Sequence, residues 1–227
     1  VWNHWASTQP HLVVVICGSA AAWMIHRVIH HRGGLHNRVT RRIRLEPFSL
    51  AETLAYLRSR GVDLGMHQTL ELYMVMGGIP HYLKELEPGR SAAQAIDAIC
   101  FSKDGLLRDE FGRLYASLFE HSERHVRAIR AMARRRRGLR RDEILKAGGM
   151  RTGGGASDLL EELVESGFVL RTAPFGKSRK DALYRLSDEY SLFYLAWIEN
   201  CRATGKDIWL KRRASPAWKA WSGYAFE

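Results

Sequence analysis

The run Leu12-Val13-Val14-Val15-Ile16-Cys17 is apolar at every position and rich in β-branched residues. A segment apolar on both alternating faces predicts a central strand of a parallel sheet, and Gly18-Ser19 ends it. Ala20 to Val28 has helix composition. After a loop over His30 to Arg38, the segment Arg41-Arg42-Ile43-Arg44-Leu45 alternates as a more exposed strand. Residues 1–47 are therefore expected to form strand, helix and strand, the edge of an α/β sheet.

From Ser49 the pattern turns helical. Ser49 and Glu52 have capping-box spacing, followed by Leu54, Tyr56 and Leu57. Helices are expected over Leu50 to Arg60, His67 to Met76, His81 to Glu87, Ala92 to Cys100 and Leu106 to Phe119. The breaks fall at Gly61, Gly77-Gly78-Ile79-Pro80, Pro88-Gly89 and Asp104-Gly105. Residues 48–119 thus read as an all-helical subdomain.

Three more helices follow: Ser122 to Arg134 with Val126, Ile129 and Ala133 on one face, Arg140 to Ala147, and Ala156 to Ser166 with Leu159, Leu160, Leu163 and Val164. Phe168 to Arg171 and Ala182 to Leu186 then read as two short strands joined by a loop carrying Gly176, Lys177, Arg179 and Lys180. Three helices and a β-hairpin predict a winged helix-turn-helix over 120–188. An aromatic-rich helix from Asp188 to Asn200 opens the segment 189–227. The expected class is mostly α, with one α/β edge.

Composition narrows the function classes. No stretch approaches a membrane span, since even Leu12 to Met24 is short and broken by Gly18 and Ser19. Cys17, Cys100 and Cys201 lie far apart without CxxC pairing, which argues against a disulfide framework or metal site and for a reducing cytoplasm. The first residue is Val1, with no signal-peptide pattern, and the start is expected to be a cut inside a longer chain. The net charge of +11 attracts polyanions, whether nucleic acid, phosphates or an acidic protein. The charge is also clustered, since Arg124, Arg127, Arg130, Arg134, Arg135, Arg136, Arg137, Arg140 and Arg141 crowd into one short region.

Four separated motifs now combine: Ile16-Cys17-Gly18-Ser19, Leu35-His36-Asn37-Arg38, Arg44-Leu45-Glu46-Pro47-Phe48-Ser49 and Gly77-Gly78-Ile79-Pro80-His81-Tyr82-Leu83. Their order resembles the bacterial and archaeal AAA+ P-loop ATPases related to STAND NTPases. The resemblance implies roles for particular residues. Ser19 would sense the γ-phosphate at a strand end, or else merely cap the following helix. Arg38 would act as an arginine finger, directly or across a subunit boundary in an oligomer, although Asn37 stands where the family usually has Gly. Its plainer reading is a solvated arginine among Arg32, Arg41 and Arg42. Gly78, Ile79 and Pro80 would touch the adenine of ATP or ADP from the helical lid, or serve only as a helix break.

No G-x-x-x-x-G-K-[ST] and no strand ending in paired acids occurs in the chain. The resemblance puts the phosphate loop and the Mg²⁺ carboxylates upstream, so ATP and Mg²⁺ belong to the intact parent and this chain alone is expected not to hydrolyse ATP. Gly223-Tyr224-Ala225-Phe226-Glu227 resembles the opening of the restriction-endonuclease-like domain that follows the winged helix in that family. The basic residues from Arg134 to Arg141, with Lys177, Arg179 and Lys180, suit duplex DNA backbone contact. Asp158, Glu161, Glu162 and Glu165 on the third helix argue against deep groove insertion. A winged helix used for packing or protein contact, or a DNA-binding module without enzymatic activity, stays open beside the ATPase reading.

Overall fold

The computed structural model describes residues 9, 11, 13–18, 40, 41, 43–135, 137–151, 153, 155–176, 181–203 and 205–226. The expected helix from Ala20 and the loop to Arg38 lie outside them. Residues 13–18, 41 and 43–45 have no strand pairing, and Val13, Val15, Ile43 and Leu45 are exposed. The two strands expected there are corrected accordingly. An all-apolar strand is held by hydrogen-bonded neighbours on both edges, and the described residues place none beside this one.

Helix α1 (Leu50–Ser59) begins as its capping box dictates. Glu52 N–H donates to Ser49 Oγ at 3.3 Å, and Ser49 N–H donates to Glu52 Oε2 at 2.8 Å. Helix α2 (Met66–Met76) ends at Gly77, whose N–H donates to Tyr73 O at 2.8 Å. The short α3 (Pro80–Leu83) stops well before the Glu87 expected from sequence. Helix α4 (Ala92–Ile96) has a second capping box, Ser91 with Gln94, and runs on as a π-helical turn over Asp97–Phe101. The expected long helix from Leu106 divides into a 3₁₀ turn (Leu106–Arg108) and α5 (Glu110–Leu118). The break is at Asp109, with φ −112° and ψ 6°, backbone angles that no α-helix continues through.

Helices α6 (Ser122–Ala133), α7 (Arg141–Ala147) and α8 (Gly155–Glu165) lie within a residue or two of their sequence positions. Strands β1 (Val169–Thr172) and β2 (Leu183–Leu186) pair antiparallel, with Val169 opposite Leu186 and Thr172 opposite Leu183. Leu139, between α6 and α7, adds an antiparallel bridge to Tyr184 through reciprocal bonds of 2.9 and 2.8 Å. Three helices, a hairpin and a third strand-like contact therefore form one unit.

The segment beyond the hairpin packs back onto the first helices. Helix α9 (Glu189–Phe193) continues as a π-helical turn over Tyr194–Ile198, and is followed by α10 (Ile208–Arg212) and α11 (Pro216–Phe226). Tyr190 donates its hydroxyl to Leu107 O at 2.8 Å, and the Tyr115 and Ser191 hydroxyls meet at 2.9 Å. Asp97 accepts from Asp207 N and Trp209 N at 2.8 and 2.6 Å, so the π-helical turn after α4 positions the start of α10. Arg213 grips buried Glu71 with two bonds of 2.9 Å. Trp209 stacks on Phe101 at 5.6 Å and meets Trp197 and Trp218 edge-on. Residues 189–226 thus complete the apolar core of the helices in 48–119. No helix among the described residues is long and apolar enough to cross a membrane.

Candidate functional site

The turn Gly77-Gly78-Ile79-Pro80 is built by two close approaches. Gly77 has φ 62°, and a β-carbon there would come within 2.9 Å of Glu189 Oε2. Glu189 of α9 therefore lies over Gly77. At Gly78 a β-carbon would meet Phe48 O at 1.8 Å, and Phe48 N–H donates to Gly78 O at 2.8 Å. Only glycine permits the linker backbone to lie this close. The two motifs Glu46-Pro47-Phe48-Ser49 and Gly77 to Pro80 are thereby in direct contact. Gly77 and Gly78 are buried, Ile79 is half-buried and Pro80 is exposed. The turn presents an apolar edge to solvent, while its glycines serve packing within the chain. Ser19 and Arg38 lie outside the described residues.

The arginine run divides between two places. Arg134 and Arg135, at the end of α6, line a cleft toward α2 and α9. Arg141 instead reaches α8, donating to Ser157 Oγ and Gly153 O, both at 3.3 Å, and to Asp142 Oδ1 at 2.9 Å. Arg137 and Arg140 are exposed between them, and the Arg140 amide donates to Glu143 Oε2 at the head of α7. Arg136, Lys177, Arg179 and Lys180 lie outside the described residues. Phe175 is fully exposed at the hairpin turn.

The acids of α8 are largely engaged within the chain. Glu162 Oε2 is 2.7 Å from Nε2 of buried His125, whose ring stacks on Phe119 at 4.0 Å. Glu161 pairs with Arg171, and Glu165 lies 3.6 Å from the Arg44 guanidinium. Three of the four carboxylates thought to repel phosphate are thus matched by cations or a histidine. The exposed part of this helix is its beginning, at Gly155, Ser157 and Asp158.

A feature not legible beforehand is the cleft itself, of about 680 Å³. Leu70, Tyr73 and Met74 of α2 form one wall, with Leu192 and Leu195 after the hairpin and Trp221 and Tyr224 of α11. Arg130, Arg134, Arg135 and Arg185 line it as well. Arg130 is held by Glu199, with bonds of 2.9 and 2.7 Å. Arg134, Arg135 and Arg185 are exposed and form no ion pair with a carboxylate among the described residues.

Glu189 sits where the turn and the cleft meet. Burial pushes its carboxyl up to about 7, the neighbouring Asp188 charge adds to the rise, and its own backbone amide opposes it. Burial likewise raises the Tyr73 hydroxyl, helped by the negative charge of Glu189 and Glu52. The signal for Glu189 was an acid pair at the head of an otherwise apolar helix. Asp188 accounts for one as the helix cap, accepting from Ser191 N at 2.7 Å. Among the described residues no three His, Cys, Asp or Glu side chains converge as a metal site.

Comparison with protein-family models, with curated proteins and with solved structures returns no match.

Proposed function

We propose that this chain is the lid and winged-helix part of an AAA+/STAND-like ATP-binding protein, in which nucleotide state is coupled to a DNA or protein partner. The observation that carries the reading is the Gly77 to Pro80 turn. It is joined on one side to the linker at Phe48 and on the other to Glu189, directly behind the hairpin. A ligand pressing on Ile79 and Pro80 would bear on both contacts. The half-buried isoleucine and exposed proline suit the flat apolar face of adenine. Phosphate and Mg²⁺ binding need a phosphate loop and paired acids that no motif of this chain supplies, and the sensor and finger roles that the resemblance implies fall on Ser19 and Arg38, outside the described residues.

The experiment is made in a protein that contains the phosphate loop. Pro80→Asp is expected to weaken ATP and ADP about equally, by roughly fivefold or more, because it desolvates a charge against a base common to both. Equilibrium titration with fluorescent analogues measures it. Unchanged affinity for both nucleotides would leave the turn as packing alone.

A second reading, a DNA-binding winged helix without enzymatic activity, is favoured by one further observation. The three helices and hairpin, with Leu139 bridged to Tyr184, support a winged-helix reading of this unit. Exposed Arg137 and Arg140 and the loop residues Lys177, Arg179 and Lys180 would then contact phosphates. Duplex DNA is expected to bind non-specifically, with a Kd of roughly 10⁻⁴ to 10⁻⁶ M that rises steeply with salt. Replacing Lys177, Arg179 and Lys180 together by alanine should weaken all sequences alike and flatten the salt slope. Anisotropy titrations at two salt concentrations give both quantities, and no binding at low salt removes this reading.

A further inference from the structure

We propose that the cleft between α2, α6, β2, α9 and α11 is a docking groove for an acidic amphipathic helix of a protein partner. Its lining combines two chemistries. One is apolar, with Leu70, Leu192, Leu195 and Trp221 half-buried rather than closed over. The other carries Arg134, Arg135 and Arg185, which are exposed and unpaired with any described carboxylate. A helix with leucine or phenylalanine on one face and glutamates beside it would satisfy both, the anchors against the leucines and the carboxylates against the arginines.

The same arginines invite nucleic acid, but the apolar part of the lining disfavours it. Single strands bind through bases stacked on aromatic faces, and although Tyr73, Tyr224 and Phe226 also line the cleft, Leu70, Met74, Leu192 and Leu195 give it an aliphatic floor that bases do not need. Trp221 is already stacked on Trp218 at 5.2 Å and packed edge-on by Phe193 and Trp197. Sugar and phosphate have nothing to place against Leu192 and Leu195. The two lining carboxylates do not spoil the site for an acidic helix, because Arg130 holds Glu199 and burial favours the protonated form of Glu189. The inference deepens the partner side of the proposed function and commits this cleft to a protein. It does not require ATP binding, and it uses different residues from the hairpin loop proposed for DNA.

The test uses the full chain and a labelled synthetic helix of about five turns. Leucines and phenylalanines lie at i, i+3, i+4 and i+7 spacing and glutamates elsewhere, and a second peptide has lysine for every glutamate. Single-stranded oligothymidylate is the third probe. The acidic peptide is expected to bind with a Kd on the order of 10⁻⁵ M, and the lysine peptide not to bind. The double variant Arg134→Glu/Arg135→Glu should weaken the acidic peptide by about tenfold or more and gain affinity for the lysine peptide. Both arginines are exposed, so this variant keeps its fold, checked by circular dichroism. Leu195→Asp should weaken the acidic peptide as well. Equal affinity for the two peptides, no binding at millimolar concentration, or indifference to the double variant overturns the proposal. Oligothymidylate binding that the double variant abolishes, without peptide binding, assigns the cleft to nucleic acid instead.

Discussion

Gly78→Ala is expected to destabilise the protein by about 3 kcal/mol and to release the linker at 46–49 from the helical unit. An added β-carbon would stand 1.8 Å from Phe48 O, 2.6 Å from its carbonyl carbon and 2.7 Å from its nitrogen. These are backbone atoms, so no rotamer change relieves the contact. The linker must move, and with it goes the 2.8 Å bond from Phe48 N–H to Gly78 O. Gly77→Ala provides the control. There the nearest atom is the end of the Glu189 side chain, at 2.9 Å, which can swing aside. What remains is the strain of φ 62° and ψ −165° on a residue with a side chain, a region that glycine alone adopts readily, roughly 1–3 kcal/mol. Thermal unfolding should place both variants several degrees below the native protein, and only Gly78→Ala should lose hydrogen-exchange protection at the Phe48 amide. Equal stability of Gly78→Ala and the native protein would mean that linker and turn do not touch.

That contact also marks where sequence reading stops. The Ser49 and Glu52 pair announces α1 because a capping box is local, and its partners are three residues apart. Leu159, Leu160 and Leu163 announce α8 for the same kind of reason, a period that needs only one turn to show itself. The apolar run Leu12 to Cys17 is different. It states a preference for strand, but a strand exists only through neighbours, and the described residues give it none. The π-helical turns at Asp97–Phe101 and Tyr194–Ile198 add one residue to a helical turn, a shift that the hydrophobic period does not resolve.

The double glycine before Pro80 was readable as a special turn. Its partners were not, because Phe48 and Glu189 reach it from opposite ends of the helical unit. The cleft shares this character. Leu70, Arg134, Arg185 and Trp221 converge only because residues 189–226 return to α2, and that return is fixed by pairings such as Glu71 with Arg213. Charge counting found the arginines but treated them as one patch. The end of α6 separates them, sending Arg134 and Arg135 to the cleft while Arg141 braces the start of α8.

Glu189→Gln is expected to stabilise the protein by roughly 2 kcal/mol at pH 8 and to change it little at pH 4. In the folded chain the carboxyl is raised to about 7, first by burial and then by the Asp188 charge. In the unfolded chain it returns to the ordinary glutamate range near 4.5. Folding therefore favours the protonated form. The native protein is most stable below the unfolded value and loses stability as pH rises from there through about 7, after which the curve flattens. Glutamine has nearly the shape of the protonated acid and cannot ionise, so the variant should lack this loss while still covering Gly77. Asp188 is also raised by burial and contributes a slope of the same sign. It is present in both proteins and largely cancels in their difference. Urea unfolding of native and variant protein from pH 4 to pH 8 gives that difference directly. It should be near zero at the acid end and grow through the window up to about pH 7. A difference that stays flat with pH would show that Glu189 is solvated in the folded chain and does not lie against the turn.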